Sequence, residues 1–320
     1  GLIGVDSIYS SMTTKEGIFE SKTAVTNPDF SALYIDYFSK IDDSLGLSLT
    51  DISSQDTIAV HMTGSFPGAN VALLAACKAS NIYPIIISSI GSSSWGANRL
   101  NMTWIDIENI LYGQIFNYKS VMVSLGGDND TADELSENTK LILTKKIKNY
   151  GYPLVYNQDL KESINIKMNT YNRISQDYKV YISIGGSASS LGNELLSQFF
   201  SPGLNFHKDE DVNIDVEIVE SNTSYDLSLE PIIHQFNDND IPIINIKNIN
   251  KLCMENDLPY WELDQYANYT SLLFGEVVKY PPLTIWLCFI ASFLVLFWVV
   301  ISSINQVNKK MEEIENDTVI

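Results

Sequence analysis

The sequence predicts an α/β fold: a doubly wound, mostly parallel sheet with Rossmann-like halves, followed by one C-terminal transmembrane helix. Three observations carry this expectation. Apolar, β-branched runs alternate with amphipathic stretches, the clearest runs end in small residues just before a helical pattern opens, and from Tyr280 to Asn308 no residue is charged. The first two mark a parallel sheet whose strands are joined by crossover helices. The third is enough chain to cross the hydrocarbon core of a bilayer.

Strands are predicted over residues 57–62, 83–88, 120–125, 179–184, 213–219 and 242–246, with 153–156 as a further short candidate. Between them, residues 29–45 place Phe30, Leu33, Tyr34, Tyr37, Phe38 and Ile41 at helical spacing after the start signal Asn27-Pro28. Other helices are predicted over 69–80, 104–116, 132–150, 158–174, 191–200 and 227–237. The expected organisation is one α/β domain over 1–280, with halves of about 1–150 and 151–260 and a stalk over 260–280. A transmembrane helix over 281–304 and a tail over 305–320 complete it.

Within the apolar segment, the Leu, Ile, Phe and Val residues outweigh Thr284, Ser292 and Ser302 on an insertion scale. Tyr280, Trp286 and Trp298 lie near its ends, where amphipathic rings favour the headgroup level. Lys309 and Lys310 place the tail in the cytoplasm and the domain outside, although Lys279 on the other flank counts against this. Gly1 is not an initiator methionine, which leads to the expectation of a signal peptide or first anchor upstream.

Net charge is −19, from 39 acidic and 20 basic residues. That argues against nucleic-acid binding, which needs clustered Lys and Arg against phosphate. Cys77, Cys253 and Cys288 are too widely spaced to suggest a zinc site or a disulfide framework. The cofactor is left unknown, since neither a GxGxxG sequence nor a Walker lysine is present; nucleotide binding at the Gly-Ser turns remains a minor alternative.

The turn Thr63-Gly64-Ser65-Phe66-Pro67-Gly68 lies between a buried strand and an alanine-rich helix. Free backbone N–H groups and the helix dipole suit such a place to an anion. Ser65 is alternatively a nucleophile on a sharp turn, though the sequence is not GxSxG, and a plain helix cap is a third reading. The next strand runs into Ser88 to Asn98, a small-residue loop carrying Ser93, Ser94, Trp95 and Asn98; Trp95 is either a lid over a ligand or a hydrophobic plug. In Thr103-Trp104-Ile105-Asp106, Thr103 and Asp106 form a capping box, or Asp106 or Glu108 serves as a base or cation ligand. Gly126-Gly127-Asp128 is either a solvated acidic turn or a place where Asp128 holds a hard cation. Gly185-Gly186-Ser187 repeats the strand-to-helix glycine theme, and a doubly wound sheet would bring it to the same edge as the first turn. His61 reads as a core histidine rather than a base.

Several of these segments resemble the poly-gamma-glutamate system protein family of bacteria: Gly1-Leu2-Ile3-Gly4 with Thr13-Thr14, Glu20 to Thr23, Thr26 to Phe30, Gly64 to Gly68, Ser88 to Asn98 and Thr103 to Asp106. The resemblance runs from Gly1 to near Ile249 and is densest before Asp130. It departs at Val5-Asp6-Ser7 and Ile105. It implies a protein of the bacterial cell membrane, with membrane lipid, the polymer and subunits of its synthase or export complex as partners. The expected function is that of an accessory protein whose outward domain binds a polymer end or a partner through the polar strand-end turns. The alternative is a serine-dependent hydrolase or amide-transferring enzyme acting on the polymer, with Ser65 as nucleophile, Lys22 as base and Asp106 in support. Ligand contacts are expected from Gly64, Phe66, Gly68, Ser93, Ser94, Trp95, Asn98, Thr103, Gly126, Gly127, Gly185 and Gly186. A lysine works as base only if desolvation lowers its pKa, and a chain so acidic confines recognition of an anion to one local pocket.

Overall fold

The computed structural model describes residues 2–53, 55–208, 228–260 and 282–317. They belong to two units, Gly1–Phe274 and Gly275–Ile320. The predicted strand at 213–219, the first residue of the helix predicted over 227–237, most of the 260–280 stalk and residues 318–320 of the tail lie outside the described residues.

In the first unit, β1 (Thr13–Lys15) and α1 (Phe19–Ala24) precede α2 (Asp29–Leu45). The last occupies the predicted range, because apolar positions three and four residues apart bury Phe30, Leu33, Tyr34, Tyr37, Phe38 and Ile41 along one stripe. Then come β2 (Thr57–Thr63), α3 (Pro67–Ala79), β3 (Tyr83–Ser89), the short β4 (Ser92–Ser93) and the hairpin of β5 (Asn98–Arg99) with β6 (Met102–Thr103). The chain continues through α4 (Trp104–Leu111), β7 (Met122–Ser124), α5 (Glu137–Asn149), β8 (Leu154–Val155), α6 (Leu160–Ile174) and β9 (Tyr181–Ile184). It closes with α7 (Ala188–Leu191), β10 (Gly203–Asn205), α8 (Ile232–Asn237), β11 (Ile243–Ile246) and α9 (Ile249–Glu255).

The main sheet has seven strands in the order β10-β11-β9-β2-β3-β7-β8. All neighbours are parallel except β10 and β11. From β2 the order builds outward through β3, β7 and β8, then returns to β9 on the other side of β2. Val60 pairs with both Ile86 and Ile182, and these side chains, with Met62 and Ile184, pack into a core with α2, α3, α4, α5 and α9. The alternate residues Ala59, Ile85, Ile87 and Tyr181 pack into a second core with α6, α7 and α8. Both faces are thus buried, which is why the strands read as continuous apolar runs.

Some boundaries depart from expectation for local reasons. The helix predicted over 104–116 ends at Leu111, where Tyr112 turns extended and bridges to Phe116. The helix predicted from 132 starts at Glu137, since Ala132 has φ 53° and Ser136 Oγ caps the helix by accepting the Thr139 N–H. The predicted helix over 191–200 is cut at Gly192 into α7 and a 3-10 turn over Leu196–Phe199.

In the second unit, α10 (Pro282–Asp317) is 36 residues long and contains a segment, Phe289–Lys310, long and apolar enough to cross a membrane. Its large apolar side chains are exposed, Phe293 at 63% and Trp298 at 69%. A soluble core helix would bury them.

Candidate functional site

The candidate site is built where β2, β3 and β9 end. After Thr63 the chain turns sharply into α3, and the Gly64 N–H donates to the carbonyls of Ser89 (3.1 Å), the last residue of β3, and of Gly91 (3.2 Å) just past it. The Ala97 N–H (2.7 Å) and Ser92 Oγ (3.0 Å) donate back to the Gly64 carbonyl. A Cβ on Gly64 would stand 2.9 Å from the carbonyl oxygens of both Ile90 and Gly91, so the turn and the loop approach only because this residue is glycine. The N-terminal segment lies across the loop: β1 pairs with β4, and the Gly4 and Ser94 N–H groups donate to the carbonyls of Trp95 and Lys15.

Lys22 of α1 is buried beneath this cover. Its Nζ donates to the Ser65 carbonyl at 2.7 Å and to Ser93 Oγ at 2.7 Å, and it lies 3.6 Å from the centre of the Phe66 ring. No carboxylate pairs with it among the described residues, so burial lowers its pKa to about 7. The Ser93 N–H in turn donates to Ser65 Oγ at 3.1 Å. An amine poised between its charged and neutral forms therefore stands beside the Ser93 hydroxyl, whose own residue's N–H holds Ser65 Oγ. The sequence paired Lys22 with the Ser65 hydroxyl; in the structure Lys22 meets the Ser93 hydroxyl and the Ser65 carbonyl. Pairing of β1 with β4 is what places Ser93 there.

Around this cluster, Ser94 Oγ accepts the Gly17 N–H and donates to Glu16. Half-buried Trp95 packs its ring edge-to-face on Phe19, with centroids 5.1 Å apart, as a plug would. Buried Asn98 accepts the Val5 N–H (2.9 Å) and donates to the Val5 carbonyl (2.7 Å) and Thr13 Oγ1 (3.0 Å). Gly68 is packed against the Val25 carbonyl rather than left open to a ligand. Gly185, at φ 89°, sits where a Cβ would be 2.2 Å from Thr63 Oγ1. The Gly185-Gly186-Ser187 turn thus adjoins the first turn, because β9 pairs with β2.

Other expected residues join different groups. Asp106 completes the capping box with Thr103 and also takes bonds from Lys146 and Tyr150. Burial pushes its carboxyl up, but the bonds from Lys146, Thr103 and Tyr150 outweigh this and hold it below its usual value. Glu108 is buried on Ser120 and Tyr152. Gly126 and Gly127 shape the turn after β7, where Asp128 is exposed and its N–H donates to Glu134. Among the described residues, no group of three His, Cys, Asp or Glu side chains is arranged to hold a metal.

Two features went unread in the sequence. Lys167 of α6 and Asp130 form an ion pair at 2.7 Å with both side chains 0% exposed. Lys167 Nζ also donates to Ser124 Oγ (3.0 Å) and Ser189 Oγ (2.7 Å) and lies 3.5 Å from His61 Nε2. Burial, then the neighbouring Lys167 charge, drives the His61 pKa well down, so this ring is neutral. The available signal was position: Lys167 falls between Ile164 and Tyr171 on the apolar stripe of α6. The second feature is Lys247, just past β11, which donates to Ser197 Oγ at 2.9 Å and whose pKa is lowered by burial and then by Lys15.

Comparison with family models, curated proteins and solved structures finds no match to this chain. Fold and site define its class from within: an α/β protein with a mostly parallel seven-stranded sheet, a helix apolar enough to span a membrane, and a buried lysine–serine cluster at the strand ends.

Proposed function

We propose that this protein is a membrane-anchored, serine-dependent hydrolase or amide-transferring enzyme acting on poly-γ-glutamate within the machinery of its synthesis or export. The observation that carries the chemistry is the 2.7 Å contact between Ser93 Oγ and a lysine whose pKa burial lowers to about 7. The pathway rests on the resemblance over residues 1–249, and the outward orientation of the domain rests on Lys309 and Lys310. The doubly wound reading belongs to the same proposal. Reversal of strand order between β2 and β9, with helices on both faces, supports a ligand crevice at this sheet edge.

In this reading, neutral Lys22 takes the hydroxyl proton as Ser93 Oγ adds to an amide carbonyl carbon. The C–N bond breaks and the amine leaves with that proton, so an ester remains on Ser93. Water then gives a free carboxylate, or a second amine gives a new amide, and either restores the serine. Ser65, held on the Ser93 N–H, is the nucleophile in the alternative assignment. Labelling of the full chain in detergent with a fluorophosphonate separates the two: we expect labelling that Ser93→Ala abolishes and Ser65→Ala leaves. Unchanged labelling in both variants, or none in the parent, refutes the enzyme reading.

A specific observation favours the accessory reading as the second. The three N–H directions of Lys22 are met by a carbonyl, a hydroxyl and a ring face, and Ser93 is only 9% exposed, as in a cage that shapes a binding surface. Under either reading, deletion of the gene in its host lowers polymer amount or alters chain length. Normal polymer on both counts removes the pathway assignment.

A further inference from the structure

The N-terminal segment and the β5–β6 hairpin border an open cleft of about 460 Å³ beside the loop that carries Ser93. Asn98 builds it. Through its paired bonds to Val5 and its bond to Thr13, this buried side chain staples the segment to the hairpin, and Ser10 Oγ adds a bond to the Asn98 carbonyl. The cleft is open to solvent and has room for a small polar group. No acidic residue lines it, in a chain with 39 of them.

Four residues that line it, Tyr9, Ser11, Arg99 and Asn101, are exposed, and their side chains have neither hydrogen-bond nor ion-pair partners among the described residues. Arg99 is one of two arginines in the chain. A guanidinium offers a planar fork of donors matched to a carboxylate, with the hydroxyls and the amide able to fill the remaining lone pairs. One arginine on a domain so acidic neutralises a single negative charge, which favours a carboxylate over a phosphate dianion.

We infer that this cleft binds one carboxylate of an acidic peptide substrate through Arg99, setting the register of the chain beside Ser93. The purpose of the binding rests on the Ser93–Lys22 reading, but the binding is measured without it. Thr13, bonded to Asn98, pairs in register with Ser92, so the cleft and the serine loop are joined by two contacts.

The test is isothermal titration of the full chain in detergent with γ-linked triglutamate, in the Ser93→Ala background so that no turnover contributes. Saturable binding is expected, weakened about tenfold or more by Arg99→Gln and less by Arg99→Lys, which keeps the charge but loses the fork. Arg99 is exposed, so neither variant disturbs the core. Absence of binding, equal affinity in Arg99→Gln, or inorganic phosphate binding as tightly as triglutamate overturns the inference. Intact binding with unlabelled Ser93 would instead retain the cleft and reject only the catalytic reading.

Discussion

Substituting Lys22 by methionine is expected to reduce fluorophosphonate labelling of the protein by about 10²–10⁴-fold, the usual worth of a positioned general base. In the parent chain the labelling rate should rise with pH through a midpoint of about 7, the value to which burial lowers this lysine. Below that midpoint the ammonium has no lone pair to accept the Ser93 proton. Above it the amine is neutral and the rate levels off. A structural role alone would not move the pH profile. Lys22→Arg makes the same separation at a cost in stability, since it keeps charge and donors but cannot become neutral in a buried place, and the folded fraction, checked by circular dichroism, is expected to be unlabelled. Stability carries an independent sign. Unfolded Lys22 holds its proton to about pH 10.4, whereas the folded chain releases it near pH 7. Between these values the unfolded state binds more protons, so stability rises with pH, and Lys22→Met should flatten that rise. A labelling rate that is level between about pH 6 and pH 9, or full labelling of Lys22→Arg, contradicts the role given to Lys22.

Replacement of Lys167 by methionine is expected to cost about 3–5 kcal/mol, because it strands the Asp130 carboxylate in the interior. Both side chains of the pair are 0% exposed, and Ser124 and Ser189 already spend their hydroxyls on this network. Water cannot take over the lost partner. The double variant Lys167→Met, Asp130→Leu removes both charges and should recover most of the loss. Urea unfolding of the full chain in detergent, followed by tryptophan emission, measures both. A single-variant loss under about 1 kcal/mol, or no recovery in the double variant, would show that the pair is not held in a dry interior.

How much of this was legible differs from element to element. α2 was readable to the residue because six apolar positions at helical spacing face one core. β2 and β3 were readable because both of their faces are buried. β1, β4, β5, β6 and α1 gave no signal, being two to six residues long and held by contacts with distant segments. Asp106 illustrates the reverse: its capping box was plain from spacing alone, while Lys146 and Tyr150, which also bind it, lie 40 and 44 residues away.

By itself the sequence determined the alternating α/β plan, the long apolar C-terminal helix and the glycine-rich turns at strand ends, since periodicity and composition act over neighbouring residues. Only the tertiary structure decided which groups meet in those turns. Lys22 and Ser93 are 71 residues apart, and Lys167 reaches His61 across 106. Such contacts follow from strand order and from close backbone approach at Gly64, and no local pattern encodes the partner. The burial that lowers the Lys22 pKa is equally a property of the assembled edge: α1, the N-terminal segment and the β3 loop must all close over the amine before water is excluded from it.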